Sequence, residues 1–244
     1  MNISIIIPAR FSSSRYPGKP LVKILGREMI LRVADICSKV VNKKNLFIAT
    51  ENKKIAKVVS DAGYNFIMTS KKCLTGTDRV AQAAKKINSK IIVNVQGDEP
   101  AIKPSDILKV IKDKIQYPNH VICGYNEVKS YENPNDKNIP KVVFNSKNEL
   151  IYISRSSIPG SKEKSLKKYF KQVCIYGFDK KQLNKFVKKK RKSVLEDRED
   201  IEILRFFELD TKIKMTKLSS SSIAVDRKND VKKAEKLLKK KYGK

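Results

Sequence analysis

Apolar positions along the first hundred residues follow two alternating rhythms. Ile3-Ser4-Ile5-Ile6-Ile7 and Leu46-Phe47-Ile48-Ala49 are short runs of the kind a buried strand needs, while Met29 to Val40 spaces its apolar residues as one face of a helix. The alternation continues with Ile55, Val58 and Val59 on a helix ended by Gly63, a strand at Phe66-Ile67-Met68, a helix from Asp78 to Ile87, and a strand from Ile91 to Val95. This order predicts an α/β fold, a mixed and mostly parallel sheet flanked by helices, with its ligand outside the carboxyl ends of the strands. Chemistry is therefore expected in the loops that follow Ile7 and Val95.

From His120 to Phe178 the rhythm changes. Strand-like runs at Val121-Ile122-Cys123, Val142-Val143-Phe144, Leu150 to Ile153 and Val173 to Phe178 are joined by connections carrying Pro134, Pro140 and Pro159, which reads as an antiparallel insertion or extension of the sheet. Helical patterns resume at Lys180 to Lys190 and Asp200 to Leu209, a strand is expected at Ile213 to Leu218, and Asn229 or Asp230 can cap a last helix striped by Val231, Ala234, Leu237 and Leu238. No internal repeat or long linker divides the chain, so residues 1–244 are read as one domain with a strand-rich part at about 120–178.

Charge changes this picture less than its size suggests. The net charge is +29, from 54 basic and 25 acidic residues. Of the basic residues 44 are lysine, scattered over every segment. A polynucleotide-binding surface concentrates its basic residues on one stripe and uses arginine for forked contacts, so a lysine-rich solvated surface is the expectation and nucleic acid is not the expected partner. Such a surface still attracts small polyanions such as nucleotides. Apolar residues at 40% and only 9 Gly and 9 Pro exclude disordered and collagen-like classes.

No apolar stretch approaches the ~20 residues of a membrane helix, and no basic segment precedes the Ile3 to Ile7 run, so a cytoplasmic protein without membrane insertion is expected. Cys37, Cys73, Cys123 and Cys174 lie 36 to 51 residues apart, a spacing that fits no zinc motif and suits reduced thiols. The one histidine, His120, opens a strand-like run and reads as structural, which leaves a serine or cysteine triad without its base.

The first loop runs Pro8-Ala9-Arg10-Phe11-Ser12-Ser13-Ser14-Arg15-Tyr16-Pro17-Gly18-Lys19-Pro20. Three cations, three hydroxyls and a glycine leaving a buried strand match what a triphosphate requires. It is not a Walker A loop, because Lys19 is followed by proline and position 13 is serine where that motif has its first glycine. The second loop is Val95-Gln96-Gly97-Asp98-Glu99-Pro100, where Asp98 is a hard oxygen ligand suited to the magnesium of a nucleotide and Gly97 permits close approach. Asp226, after Ile223-Ala224-Val225, stands in the same arrangement and can complete a metal site or cap the last helix. Both loops also have plainer readings, as an exposed basic loop and a turn.

Together these segments resemble one family. Ile6-Ile7-Pro8-Ala9-Arg10-Phe11, Ser13, Arg15, Pro17-Gly18-Lys19-Pro20-Leu21, then Thr75-Gly76-Thr77-Asp78-Arg79 and Val93-Asn94-Val95-Gln96-Gly97-Asp98-Glu99-Pro100, are similar to 3-deoxy-D-manno-octulosonate (Kdo) cytidylyltransferases, the CMP-Kdo synthetases. Lys141-Val142-Val143, Ser154-Arg155-Ser156, Ile175-Tyr176-Gly177-Phe178, Glu199 to Arg205 and Val225-Asp226 keep that family's order, so the resemblance spans the chain. It implies a nucleotide-diphospho-sugar transferase fold, usually a homodimer, using CTP and Mg2+ to place CMP on an acidic 3-deoxy-2-keto sugar for lipopolysaccharide. Carried over by position, Arg10 and Lys19 hold the triphosphate, with Ala9, Ser13, Thr75, Gly76, Thr77 and Asp98 around the nucleotide. Asp98 and Asp226 hold magnesium, and Arg15, Gln96, Arg155, Gln172, Tyr176 and Glu202 surround the sugar. Arg10, Lys19 and Asp98 are the catalytic candidates.

The chain departs from that family at three positions. Gln172 and Cys73 stand where it usually has histidines, and Cys174 where it has glycine. Glutamine hydrogen-bonds sugar hydroxyls but does not become cationic. Two acceptors stay open, Kdo itself with neutral replacements, or a changed acid such as an amino-substituted relative. A third reading keeps the fold without chemistry, as a basic nucleotide- or nucleic-acid-binding protein.

Overall fold

A computed structural model describes residues 2–12, 16–160, 162, 168–219 and 224–242. Its strands are β1 (Ile3–Ala9), β2 (Lys23–Ile24), β3 (Arg27–Glu28), β4 (Leu46–Thr50), β5 (Asn65–Met68), β6 (Ile91–Val95), β7 (Val121–Glu127), β8 (Lys141–Phe144), β9 (Leu150–Ser154), β10 (Phe170–Phe178) and β11 (Ile213–Lys217). The helices are α1 (Met29–Cys37), α2 (Lys53–Asp61), α3 (Gly76–Ala84), α4 (Pro104–Gln116), α5 (Lys180–Lys188), α6 (Val194–Glu199), α7 (Leu204–Glu208) and α8 (Lys228–Tyr242).

The main sheet has the order β11-β7-β10-β6-β1-β4-β5, with β8 and β9 attached through β10. β1 pairs parallel with β4 and β6, β4 with β5, and β7 with β11, while β10 runs antiparallel between β6 and β7. The mixed, mostly parallel sheet flanked by helices is therefore present. The 120–178 stretch differs from an appended insertion: β7 and β10 are interior strands of the main sheet, and only the β8–β9 hairpin stands off it. Their sequences carry the reason, since β7 and β10 are buried almost throughout, as strands covered on both faces must be.

Successive residues of β1 feed two cores. Ile5 and Ile7 join α1, α2 and α4 on one face, and Ile6 joins α3, α5 and α7 on the other. Helix α4 is absent from the sequence-based reading although it carries Pro104 at its first turn and buries Ile107, Val110 and Ile111. Lysines interrupt its apolar stripe, and one of them, Lys114, is itself buried, its ammonium donating to the Pro118 and His120 carbonyls and to Gln182. The expected helix from Asp200 to Leu209 is a second correction. Asp200 takes a left-handed backbone at the end of α6, with φ of 50°, and the next helix starts only at Leu204. Helix α8 packs Ala234 and Leu238 on Ile24 and Met29.

Candidate active site

Three parallel strands end side by side at one edge, and the loops after Ala9, Thr50 and Val95 leave there together. Strand β10 overhangs that edge: Ile175 pairs with Val95, so Gln172 and Cys174 project past the end of β6. A cleft of about 380 Å³ lies at this edge, lined by residues from the first loop, the α3 start, the Gln96 to Glu99 loop, β10 and the region of Glu202 and Asp226. Its place follows from topology, since the reversal of strand order beside β1 leaves a crevice at the carboxyl ends.

Close approach fixes the floor. A Cβ on Gly97 would come within 3.0 Å of the Pro8 carbonyl oxygen, so that position accepts little beyond hydrogen, while one on Gly76 would come within 3.1 Å of the Gln96 side-chain nitrogen and press on that amide. The first two loops and the start of α3 thus meet around Pro8 and Gln96.

The polar centre is one cation between two carboxylates. Lys19 Nζ lies 2.8 Å from Asp98 Oδ2 and 3.1 Å from Asp226 Oδ1. Burial works to lower its basicity, but the two carboxylates outweigh it and hold the ammonium above its ordinary value. The acids are placed by backbone bonds: the Val225 amide donates to the Asp98 carbonyl, and the Asp230 carboxylate accepts from the amides of Asp226 and Arg227. Asp230 turns back from the first turn of α8 onto the two preceding amides, and the Asp226 side chain meets Lys19 in the cleft.

Two convergent carboxylates that already hold one cation are a donor set suited to magnesium, which takes few protein oxygens and completes its shell with phosphate oxygens and water. Among the described residues no group of three or more His, Cys, Asp and Glu is gathered for a metal.

A second polar group lies along the opposite wall. Glu202 accepts from Gln96 Nε2 at 2.9 Å and from the Thr77 amide at 2.9 Å. Burial raises its carboxyl above the usual range, against the Thr77 bonds. Gln172 Nε2 donates to the Tyr176 hydroxyl at 3.1 Å. Burial also pushes the Tyr176 hydroxyl and the Cys174 thiol well above their ordinary values, so both stay protonated.

Of the residues singled out in the sequence, Ala9, Arg10, Lys19, Thr75, Gly76, Gln96, Asp98, Arg155, Gln172, Tyr176, Glu202 and Asp226 come together at this cleft. Ser13 and Arg15 lie outside the described residues. Thr77 does not line the cleft; it is 1% exposed behind the wall, where its amide supports Glu202. The Thr75 hydroxyl is used in a capping box with Asp78. Arg155 reaches the rim, but its guanidinium donates to the carbonyls of Lys137, Glu199 and Asp200, so it holds two loops together.

Several organising residues were not read from the sequence as such. Glu51, past β4, accepts from the Phe11 amide at 2.8 Å and pairs with Arg79 at 2.8 Å, tying the first loop to α3. Arg205 grips Glu196 and Asp78 through paired bonds of 2.6 to 3.3 Å and stacks 3.8 Å from the Phe186 ring centre. The signal was present, because Asp78 and Arg205 sit inside quoted motifs, but nothing in spacing pairs them.

With this geometry in view, comparison with known proteins decides the family. A family model described as Cytidylyltransferase matches residues 4–213. The chain belongs to the cytidylyltransferase family. It is 34% identical over 98% of its length, and 99% of the relative, to a Shewanella baltica protein named 8-amino-3,8-dideoxy-manno-octulosonate cytidylyltransferase. A Shewanella putrefaciens protein of the same name is 35% identical over the same shares. Among solved structures, CMP:2-keto-3-deoxy-manno-octonic acid synthetase complexed with CTP aligns with a TM-score of 0.91 and 29% identity, covering 99% of this chain and 100% of that one. A putative glucose-1-phosphate thymidylyltransferase from Bacillus anthracis shares the fold, with a TM-score of 0.70, 17% identity, and coverage of 96% and 94%. The cytidylyltransferase fold thus extends over essentially the whole chain. No described helix is long and apolar enough to cross a membrane.

Proposed function

We propose that this chain transfers CMP from CTP to the anomeric hydroxyl of an acidic 3-deoxy-2-keto sugar of the Kdo type, releasing pyrophosphate. The observation that carries this reading is the Lys19–Asp98–Asp226 cluster at the carboxyl edge of the sheet, facing a wall of sugar-suited hydrogen-bonding groups in the same cleft. The names of the relatives support it.

The bond formed joins the anomeric oxygen to the α-phosphorus, and the bond broken is the bridge from that phosphorus to the β-phosphate. Both substrates are anions, so their approach must be neutralised, and Arg10 and Lys19 stand at the first loop to do so. Asp98 and Asp226 would hold Mg2+, which would offset the phosphate charge and supply Lewis acidity to the transfer. Gln96, Glu202, Gln172 and Tyr176 orient the sugar, with Arg155 shaping the rim. Glu202 accepts hydrogen bonds from hydroxyls, while the protonated Tyr176 and the Gln172 amide donate and accept. Ser13, Arg15 and the Thr75-Gly76 start of α3 belong to the same substrates.

In this reading residues 1–244 act as one catalytic domain, working in the cytoplasm as a homodimer with the 120–178 region contributing to the sugar site and the subunit contact. The product supplies lipopolysaccharide. The acceptor has a second version, an 8-amino acid, favoured by the names of the relatives and by Gln172 in the sugar wall.

The test is pyrophosphate release from CTP with Mg2+ and a panel holding Kdo, its 8-amino-8-deoxy analogue and a sialic acid. Release with one or both octulosonates and none with the sialic acid is expected. Release with neither octulosonate overturns the reading, and strong preference for the amino acid selects the second version.

A further inference from the structure

Lys19 occupies the position between Asp98 and Asp226 that a divalent cation needs. Its side chain is 14% exposed and the carboxylates 28% and 30%, so the ammonium is the inner member of the cluster. One backbone bond, from the Val225 amide to the Asp98 carbonyl at 2.9 Å, ties the two acids' segments together, and Lys19 begins a short turn pinned by the Leu21 amide on the Gly18 carbonyl at 2.9 Å. What can move is the four-carbon stem of the lysine. A metal ion set on the same oxygens would place two positive centres within contact distance, so metal and ammonium exclude each other. Lysine is suited to such exchange: it is a point charge on a flexible arm, without the fork that would clamp both carboxylates. A triphosphate entering the cleft offers the ammonium a denser anion at the same loop.

We propose that Lys19 is a displaceable place-holder, which keeps the Asp98–Asp226 pair closed to divalent metal until a nucleoside triphosphate draws its ammonium onto phosphate oxygens. This rests on the reading that Asp98 and Asp226 hold the metal. Metal and nucleotide then bind as coupled ligands, and linkage makes the coupling reciprocal. Lys19 has two roles in sequence: it first compensates the half-buried acids and then compensates the phosphates, so the carboxylate pair has a cation beside it at either stage.

The test is Mn2+ binding without nucleotide, read as loss of the free-ion paramagnetic resonance signal. Lys19→Met is expected to bind Mn2+ at least about 5-fold more tightly than wild type. Lys19→Gln, carried in parallel with circular dichroism of both variants, is expected to do the same, whereas Lys19→Arg keeps the weak wild-type affinity. Adding Asp98→Asn to Lys19→Met is expected to abolish the gain. Equal affinity in wild type, Lys19→Met and Lys19→Gln, lost in each on Asp98→Asn, overturns the place-holder and leaves the metal assignment standing. Binding indifferent to Asp98 in every variant overturns the metal assignment and the inference with it. A second measurement reads the coupling, as the factor by which Mn2+ tightens CTP binding without any sugar acid. Chelation of Mn2+ by the triphosphate is common to both proteins, so a larger factor in wild type than in Lys19→Met supports the exchange and equal factors overturn it.

Discussion

Among the described residues two places set one cation between two carboxylates, and they are built for opposite ends. Arg205 joins Asp78 to Glu196 with its side chain 1% exposed, both contacts forked and a phenyl ring against the guanidinium. Lys19 joins Asp98 to Asp226 at the open edge of the sheet with one contact to each. The first cluster fastens α3, α6 and α7 at the side of the cleft that Glu196 lines, and nothing in it can be exchanged without leaving a buried charge. The second uses a single-point donor with the open cleft beside it. Equal charge balance thus gives a lock in one case and an exchangeable site in the other, and what separates them is burial and the shape of the donor.

The widest separation between the clusters should come from removing one acid of the exchangeable pair. Asp98→Asn or Asp226→Asn keeps size and hydrogen-bonding capacity but removes a metal-suited charge, so turnover is expected to fall by on the order of 10³-fold. Melting temperature should hardly change. Full magnesium-dependent activity in either variant removes the cluster from the chemistry. The mirror experiment is Arg205→Met, which strands Asp78 and Glu196 in the interior. A loss of about 3–5 kcal/mol in unfolding free energy is expected, read by denaturant titration. If the variant is as stable as wild type, Arg205 is not a lock.

The same contrast shows what the chain revealed before it was folded. The exchangeable cluster was legible because each of its members follows an apolar run and belongs to a motif with a chemical meaning: Lys19 after the first strand, Asp98 after Val95, Asp226 after Val225. The lock was not, since Asp78, Glu196 and Arg205 are separated by up to 127 residues and meet only through packing of three helices. Strand–helix alternation was legible through β6 for the same reason, as local periodicity is fixed by which face is buried. The position of β10 between two parallel strands was not, because strand order is decided by tertiary pairing. Helix α4 was obscured by its lysines, and Thr77 and Arg155 show the remaining limit: a residue can sit in the right motif and spend its polar groups on holding the wall.

Gln172 is intermediate in kind between lock and exchangeable site, a polar side chain 9% exposed whose amide is spent on Tyr176 yet borders the cleft. Gln172→His is expected to change kcat/KM for Kdo by the worth of one matched hydrogen bond, roughly 0.5–1.5 kcal/mol, upward if the native acceptor is the amino acid. An unchanged ratio of Kdo to 8-amino acid use shows that this residue does not choose between them.

The smallest effect is expected where cations have no carboxylate pair at all. Lys188, Lys189, Lys190 and Arg191 follow one another at the end of α5, all exposed to solvent. The next residue differs, because Lys192 lines the cleft and its ammonium meets Asp200 at 3.0 Å, so it must be left in place for a clean test. Replacing the four by Gln removes a block of like charge whose members repel one another and are screened by salt over about 8 Å at physiological ionic strength. Stability is expected to move by no more than about 0.5 kcal/mol, and kcat/KM to hold, because charges in bulk solvent add little at the distance of the reacting atoms. A steep activity loss that is largest at low salt and shrinks as salt is raised would instead make this run part of how a polyanionic substrate or partner is gathered.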